Sequence, residues 1–145
     1  MVLLRLQPNQ ISEHWEVIKE ALLASAPPIM DGADDFVLYV LKQLISSKMQ
    51  VWVMLNDNRT LIGIVITTVT RDDCSGTKSL LIYCVYGFRP VSSKAWEFGL
   101  NKLILFAKSN NCQKLSFYTQ SDEILAIINR LGKFDTFTYG VMNIS

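Results

Sequence analysis

The sequence predicts a mixed α/β sheet with helices on its faces, in the order β-α-α-β-β-β-α-β-α-β, within one domain that spans residues 1–145. Some segments alternate apolar and polar residues, whereas others repeat apolar residues every three or four positions. No repeat, linker or low-complexity tract separates these segments. With 145 residues, of which 50% are hydrophobic and 19% charged, the chain can bury a core, and its composition excludes a disordered or fibrous protein.

The first third of the chain predicts one strand and two helices. Residues 2–6 alternate as in a short strand, which Pro8 ends. Ser12 is suited to cap a first helix with apolar residues at helical spacing, and Pro27 stops that helix. A second helix opens at residue 33 or 34 and ends near Ser46.

A β-hairpin follows these helices. Residues 51–55 are rich in strand-forming side chains, residues 56–59 have turn chemistry, and residues 61–69 are rich in β-branched side chains. The pattern predicts two adjacent antiparallel strands.

A central strand and a long helix are expected next. Residues 79–86 form a nearly continuous apolar run, as in a strand that is covered on both faces. Ser92 or Ser93 is expected to cap a third helix that ends at Asn110. Residues 114–119 then supply another strand.

A helix and a strand complete the predicted order. The helix begins at Asp122, and Gly132 is well placed for a left-handed conformation after its last turn. Residues 134–144 have strand character and are expected to close the sheet.

The charge balance argues against several classes of partner. Fourteen basic and 13 acidic residues give a net charge of +1, so no strong field favours nucleic acid, and the basic residues around the third helix are typical of a solvated surface. No apolar run approaches the roughly 18 residues of a membrane span. We therefore expect a cytoplasmic protein.

Cysteine and histidine are too sparse for a zinc site or a disulfide framework. Cys74, Cys84 and Cys112 show no pairwise motif, and His14 is the single imidazole. The sequence predicts three reduced thiols and no bound metal.

The element order and several motifs resemble the GNAT family of acetyl-coenzyme A dependent N-acetyltransferases over nearly the whole chain. The hairpin with Gly63 after its turn resembles the second and third strands of that family, and residues 107–115 and 130–134 resemble its third helix, fifth strand and helix-ending LGF motif. Trp96, Gly99 and Cys112 are more narrowly similar to small GNAT-like proteins that bacteriophages encode.

The resemblance implies a position for acetyl-CoA. In active GNAT enzymes a glycine-containing loop and the start of the third helix hold the pyrophosphate, because unsatisfied backbone N–H groups and the helix dipole favour an anion. The matching cofactor-binding residues here are Val85, Ser92, Ser93, Lys94, Ala95 and Trp96. This stretch has no glycine, and a capping role for the two serines is also expected.

The resemblance also implies a proton donor for the departing thiolate. Ile128 occupies the position where the family carries a tyrosine, so Tyr118 is the proposed catalytic residue, with Tyr83 and Tyr86 as alternatives. The base that accepts the proton of the amine would come from Asp34, Asp35, Glu97 or a water chain.

Two functions remain open from the sequence. The first is a protein-binding or virion-associated module, encoded by a phage, that retains the architecture without the catalytic signature and associates with itself or with another protein. The second is an active N-acetyltransferase with a divergent cofactor loop, in which positioning of the substrates supplies much of the rate.

Overall fold

The computed structural model describes residues 1–30 and 32–144, and in these ranges it has five strands in one sheet and five helices. The elements are β1 (Val2–Arg5), α1 (Pro8–Glu13), α2 (Trp15–Ser25), α3 (Ala33–Ile45), β2 (Met49–Leu55), β3 (Leu61–Arg71), β4 (Lys78–Gly87), α4 (Ser93–Ser109), β5 (Lys114–Phe117) and α5 (Asp122–Leu131). The predicted mixed α/β class is confirmed. Within the described ranges, no helix has the length and apolarity required to cross a membrane.

The strands lie in the order β1-β2-β3-β4-β5, and only the last pair is parallel. The predicted hairpin is confirmed, with Val53 opposite Ile64. Its turn is held by Asn56, whose side-chain oxygen accepts hydrogen bonds from the backbone N–H groups of Asn58 (3.0 Å) and Thr60 (2.9 Å). Arg59 has a φ of 60°, so local hydrogen bonds support the left-handed turn residue. The predicted central strand, β4, lies between β3 and β5.

Helices cover the two faces of the sheet unequally. On one face α1, α2 and α3 form a core with the sheet; its buried members include Ile18, Leu22, Leu44 and Ile66. On the other face α4 packs through Leu103 and Ala107 over a second core cluster. The sheet therefore separates two cavities, one on each face.

The first predicted helix is two helices. β1 ends before Pro8, and Pro8 also begins the additional helix α1, because a proline at the first helical position loses no needed hydrogen bond. Ser12 lies inside α1 and its hydroxyl donates to the Pro8 carbonyl (3.4 Å), so the predicted cap at Ser12 is wrong. His14 ends α1 and precedes α2, and the chain changes direction there.

The predicted final strand is absent from the described residues. Residues 134–144 have no regular structure, and β5 ends at Phe117 rather than at Thr119. Gly132 has a φ of −168°, which is extended backbone, so the predicted left-handed conformation is also wrong. A strand needs a neighbour for its backbone groups, and the chain after α5 instead places Phe134 against Phe117, with ring centroids 5.3 Å apart.

Candidate functional site

The candidate site begins where β4 and β5 separate. The two strands pair in parallel from Ser79 opposite Lys114 to Ile82 opposite Phe117. The N–H of Tyr118 still donates to the Ile82 carbonyl at 3.3 Å, and beyond that point β4 continues to Gly87 paired with β3 alone. Among the described residues, the side of β4 that faced β5 thus has no strand partner over residues 83–87.

A β-bulge lies at the point of separation. Cys84 pairs with Ile66 and Ile82 pairs with Thr67, so Tyr83 is an additional residue on β4. Tyr83 and Cys84 both pack with the core on the side of α1–α3, whereas Ile82 packs with the core under α4. The bulge therefore places the Tyr83 side chain on the face of the sheet that α1, α2 and α3 cover.

A narrow cavity, here called the apolar cleft, lies on the α4 side of this separation and has a volume of about 90 Å³. Its lining is almost wholly apolar and comes chiefly from β4 (Ile82, Val85, Tyr86), the residues after β5 (Tyr118), α4 (Ala95, Trp96, Gly99, Leu103), α5 (Ile124, Ile128, Leu131) and Phe134. Ala95, Gly99 and Leu103 are four residues apart and share one face of α4. A Cβ on Gly99 would lie 3.1 Å from the Met54 methyl carbon, so the absence of that side chain keeps this wall open.

The start of α4 lies beside the cleft. Ser92 is the N-cap, as predicted, and its hydroxyl accepts a hydrogen bond from the Ala95 N–H at 3.2 Å. The N–H groups of Ser93 and Lys94 precede the first helical hydrogen bond and point away from the helix body, which is the usual arrangement for holding an anion. The cationic groups of Arg89 and Lys94 are exposed, and no described carboxylate forms an ion pair with them.

A wider cavity, here called the aromatic groove, opens on the opposite face, with a volume of about 670 Å³. Its lining comes from Ile29, from α3 and the start of β2 (Phe36, Tyr39, Val40, Gln43, Lys48, Met49), from the sheet (Thr68, Val69, Leu81, Tyr83) and from Tyr118 and Tyr139. Ring centroids are 6.3 Å apart for Phe36 and Tyr83, 6.1 Å for Tyr83 and Tyr118, and 5.9 Å for Tyr118 and Tyr139. These rings form a connected aromatic row along the groove.

Tyr118 lines both the apolar cleft and the aromatic groove. Burial raises the pKa of the Tyr118 phenol above its usual value of 10.0, and the neighbouring Tyr139 adds to the rise. Burial also raises the pKa of Tyr83, with smaller contributions from Cys84 and Tyr118. Both phenols are therefore protonated at neutral pH and can donate a proton.

The carboxylates that were predicted as possible bases do not join this site. Asp34 and Asp35 are exposed in the first turn of α3, and Glu97 is exposed on α4. None of them lines either cavity, and neither does His14. Within residues 1–30 and 32–144, no group of His, Cys, Asp and Glu side chains is arranged to hold a metal ion.

The predicted cofactor residues occupy two adjoining places. Val85, Ala95 and Trp96 line the apolar cleft, whereas Ser92, Ser93 and Lys94 lie at the beginning of α4, outside that lining. The structure adds Ile124, Leu131 and Phe134 to the lining of the cleft, beside Ile128, which the resemblance had already placed at the position of the family's tyrosine. The small residues at four-residue spacing on α4 were a usable signal for the open wall of the cleft.

Solved structures of acetyltransferases share this architecture. A probable acetyltransferase superimposes with a TM-score of 0.74 at 11% identity, covering 100% of this chain and 99% of the other. A predicted acetyltransferase from Clostridium acetobutylicum, solved with acetyl-CoA, gives 0.69 at 17% identity and covers 98% and 95% of the two chains. An aminoglycoside 6'-N-acetyltransferase from Acinetobacter baumannii gives 0.65 at 16% identity and 99% coverage of both.

The chain therefore has the GNAT acetyltransferase fold, in agreement with the resemblance seen in its sequence. At these identities the likeness establishes the fold alone. No protein-family model matches the sequence, and no curated protein matches it closely.

Proposed function

We propose that the protein is an acetyl-CoA dependent N-acetyltransferase in which the thioester and the amine approach Tyr118 from opposite faces of the sheet. The observation that carries this proposal is that Tyr118 lines both the apolar cleft and the aromatic groove, at the end of the β4–β5 pairing. A neighbour in structure that was solved with acetyl-CoA supports the choice of cofactor.

The residues around the apolar cleft suit a long thioester with a charged end. No described strand pairs with residues 83–87 of β4 on the edge that faced β5, so their backbone groups can pair with the amides of an extended ligand. The first turn of α4, with Lys94 and Arg89 nearby in sequence, suits phosphate. A volume of about 90 Å³ is below the 300–1,000 Å³ that is usual for ligand cavities, so side chains of α5 or Trp96 must move when the ligand binds.

When bound, acetyl-CoA supplies an acetyl group that is activated as a thioester. Tyr118 holds a proton at its phenol oxygen, where a leaving thiolate can take it up. The lining of the aromatic groove contains no carboxylate or imidazole, so no described lining residue serves as a strong base for the amine. The acceptor must then react in its neutral form, the proton that its nitrogen loses on forming the amide passes to solvent, and solvent returns a proton to Tyr118. We expect the rate to rise with pH until the amine is deprotonated.

The first experiment is calorimetric titration of the protein with acetyl-CoA and with free CoA, followed by release of free thiol in the presence of primary amines. Tyr118→Phe should bind acetyl-CoA like the wild type but lose about 100-fold or more in kcat. Tyr86→Phe tests the alternative proton donor, because Tyr86 lines the apolar cleft but not the aromatic groove; if Tyr118 is the donor, kcat should fall much further in Tyr118→Phe than in Tyr86→Phe. Absence of both heat and thermal stabilisation with acetyl-CoA would refute the proposal.

A protein-binding module is the second candidate, and exposed apolar side chains after α5 favour it. Phe137, Met142 and Ile144 are 87%, 82% and 92% exposed, in a segment without regular structure. If this segment mediates self-association, sedimentation should reveal concentration-dependent oligomers that Phe137→Ser weakens. A bacteriophage origin and a place in a virion stay predictions of the sequence resemblance.

A further inference from the structure

The aromatic groove restricts the chemistry of the acceptor, and this inference rests on the proposed transferase function. Its described lining contains several aromatic rings but a single formally charged side chain, Lys48. Asp34 and Asp35 lie on the same helix as part of the lining but do not reach the groove surface. A site that binds a polycation requires compensating carboxylates, and the described lining provides none.

The rings provide flat apolar surface for a ligand. Tyr139, at the end of the aromatic row, is 61% exposed, and Tyr83 and Tyr118 in the same row are half-buried. Tyr39 also lines the groove and is 63% exposed. Aromatic rings stack with other rings and attract a single ammonium group by the cation–π interaction. The groove volume of about 670 Å³ is in the usual range for ligands of drug size.

Lys48 gives the groove a positive edge. It follows Ser47, whose φ of 64° turns the chain from α3 into β2, and its backbone carbonyl accepts a hydrogen bond from the Thr68 hydroxyl at 3.2 Å. The Lys48 ammonium group is exposed and forms no ion pair with a described carboxylate. It therefore attracts an anionic group on a ligand and repels a second cation.

We infer that the aromatic groove takes a primary amine with an aromatic body and a carboxylate, of the aromatic amino acid type, and discriminates against polycationic amines. The ring of the acceptor stacks along Tyr39, Tyr83 and Tyr139, and its carboxylate faces Lys48. Its amine then lies toward Tyr118, the residue that the groove shares with the apolar cleft.

The five tyrosines of the chain make this inference testable by ¹⁹F NMR of protein labelled with 3-fluorotyrosine. Four of them line the aromatic groove, while Tyr86 lines the apolar cleft, packs with the core on the side of α1–α3 outside the groove lining, and serves as an internal control. Signals are assigned with single Tyr→Phe variants, and the labelled protein is titrated with L-phenylalanine, phenethylamine and spermidine, without acetyl-CoA. A separate titration with CoA reports on the cleft.

L-Phenylalanine should shift the Tyr39, Tyr83 and Tyr139 signals and leave Tyr86 unchanged, and spermidine should bind at least ten-fold more weakly. Lys48→Glu should lower the affinity for L-phenylalanine about two- to five-fold relative to the affinity for phenethylamine, as expected for an exposed ion pair. Equal or tighter spermidine binding, or shifts outside the groove, would overturn the inference.

The two proposals fail separately. If CoA changes neither the Tyr86 nor the Tyr118 ¹⁹F signal, the transferase proposal is contradicted. If none of the amines shifts the signals of the tyrosines that line the groove, only the acceptor assignment is contradicted.

Discussion

A buried chain of hydrogen bonds between β2 and β3 gives the sharpest prediction about stability. The Trp52 indole N–H donates to the Thr67 hydroxyl at 2.9 Å, and that hydroxyl donates to the Gln50 side-chain oxygen at 2.8 Å. Thr67 is fully buried and Gln50 is 5% exposed, so water cannot replace either bond. Thr67 also pairs with Ile82 beside the bulge at Tyr83, so the chain of bonds lies at the point where the two cavities diverge.

Thr67→Val keeps the shape of the side chain but leaves the Trp52 donor and the Gln50 acceptor without partners. A buried polar group without a partner costs about 1–3 kcal/mol, so the loss of both partners should lower the unfolding free energy by roughly 2–6 kcal/mol. For a chain of this size that corresponds to a fall of about 6–20 °C in Tm. Thr67→Ser keeps the hydroxyl and removes one methyl group, so it should lose only about 1 kcal/mol.

Urea denaturation followed by tryptophan fluorescence measures both variants directly. The wild-type protein and the two variants should share one m-value, so that the difference lies in the midpoint. A Thr67→Val variant that is within about 0.5 kcal/mol of the wild type, or no less stable than Thr67→Ser, would show that the two groups find other partners.

Three further predictions concern α4 and the cysteines. Ser92→Ala should lower the unfolding free energy by about 1 kcal/mol through loss of the cap, whereas Ser93→Ala, one residue into the helix and exposed, should change it by only a few tenths in the same urea titration. Burial raises the pKa of the Cys84 thiol to about 12, with a smaller opposing effect from its hydrogen bond with Ser25. Ellman's reagent at pH 8 should therefore label the exposed Cys74 and should not label Cys84 until the protein unfolds. Because this folded-state pKa lies above the ordinary value of 9.0, the contribution of Cys84 to stability is complete below about pH 9 and is lost as pH rises toward 12, and Cys84→Ala should flatten the measured slope in that window.

Elements that local chemistry determines could be predicted from the sequence. The hairpin follows from alternation on both sides of an Asn-rich turn, and the start of α4 follows from a serine placed to accept an N–H. The prediction of a final strand was wrong, because a strand-like sequence forms a strand only where a neighbouring strand offers backbone groups for hydrogen bonds. The sequence did not predict the break between α1 and α2 at His14, because apolar residues continue at helical spacing on both sides of it.

For the candidate site, the sequence likewise predicted residues of the apolar cleft but not the aromatic groove. Val85, Ala95 and Trp96 were located through the resemblance of the β4–α4 region to the GNAT family, and the structure places all three on the apolar cleft. The aromatic groove could not be predicted, because it depends on the additional residue in β4 that turns Tyr83 toward α3. No local pattern in the sequence indicates which residue of a strand will be the bulge.

The packing of α5 has a consequence for how quickly the protein can exchange ligands. None of its residues is fully buried, and the side chains on its apolar face border the cleft rather than a filled core. Detaching this helix exposes less apolar surface than unfolding the sheet, so α5 should open as a separate cooperative unit while the rest of the domain stays intact. Its amide hydrogens should exchange sooner than those of α4, and the frequency of that local opening, rather than diffusion, should limit how fast a ligand enters and leaves the cleft.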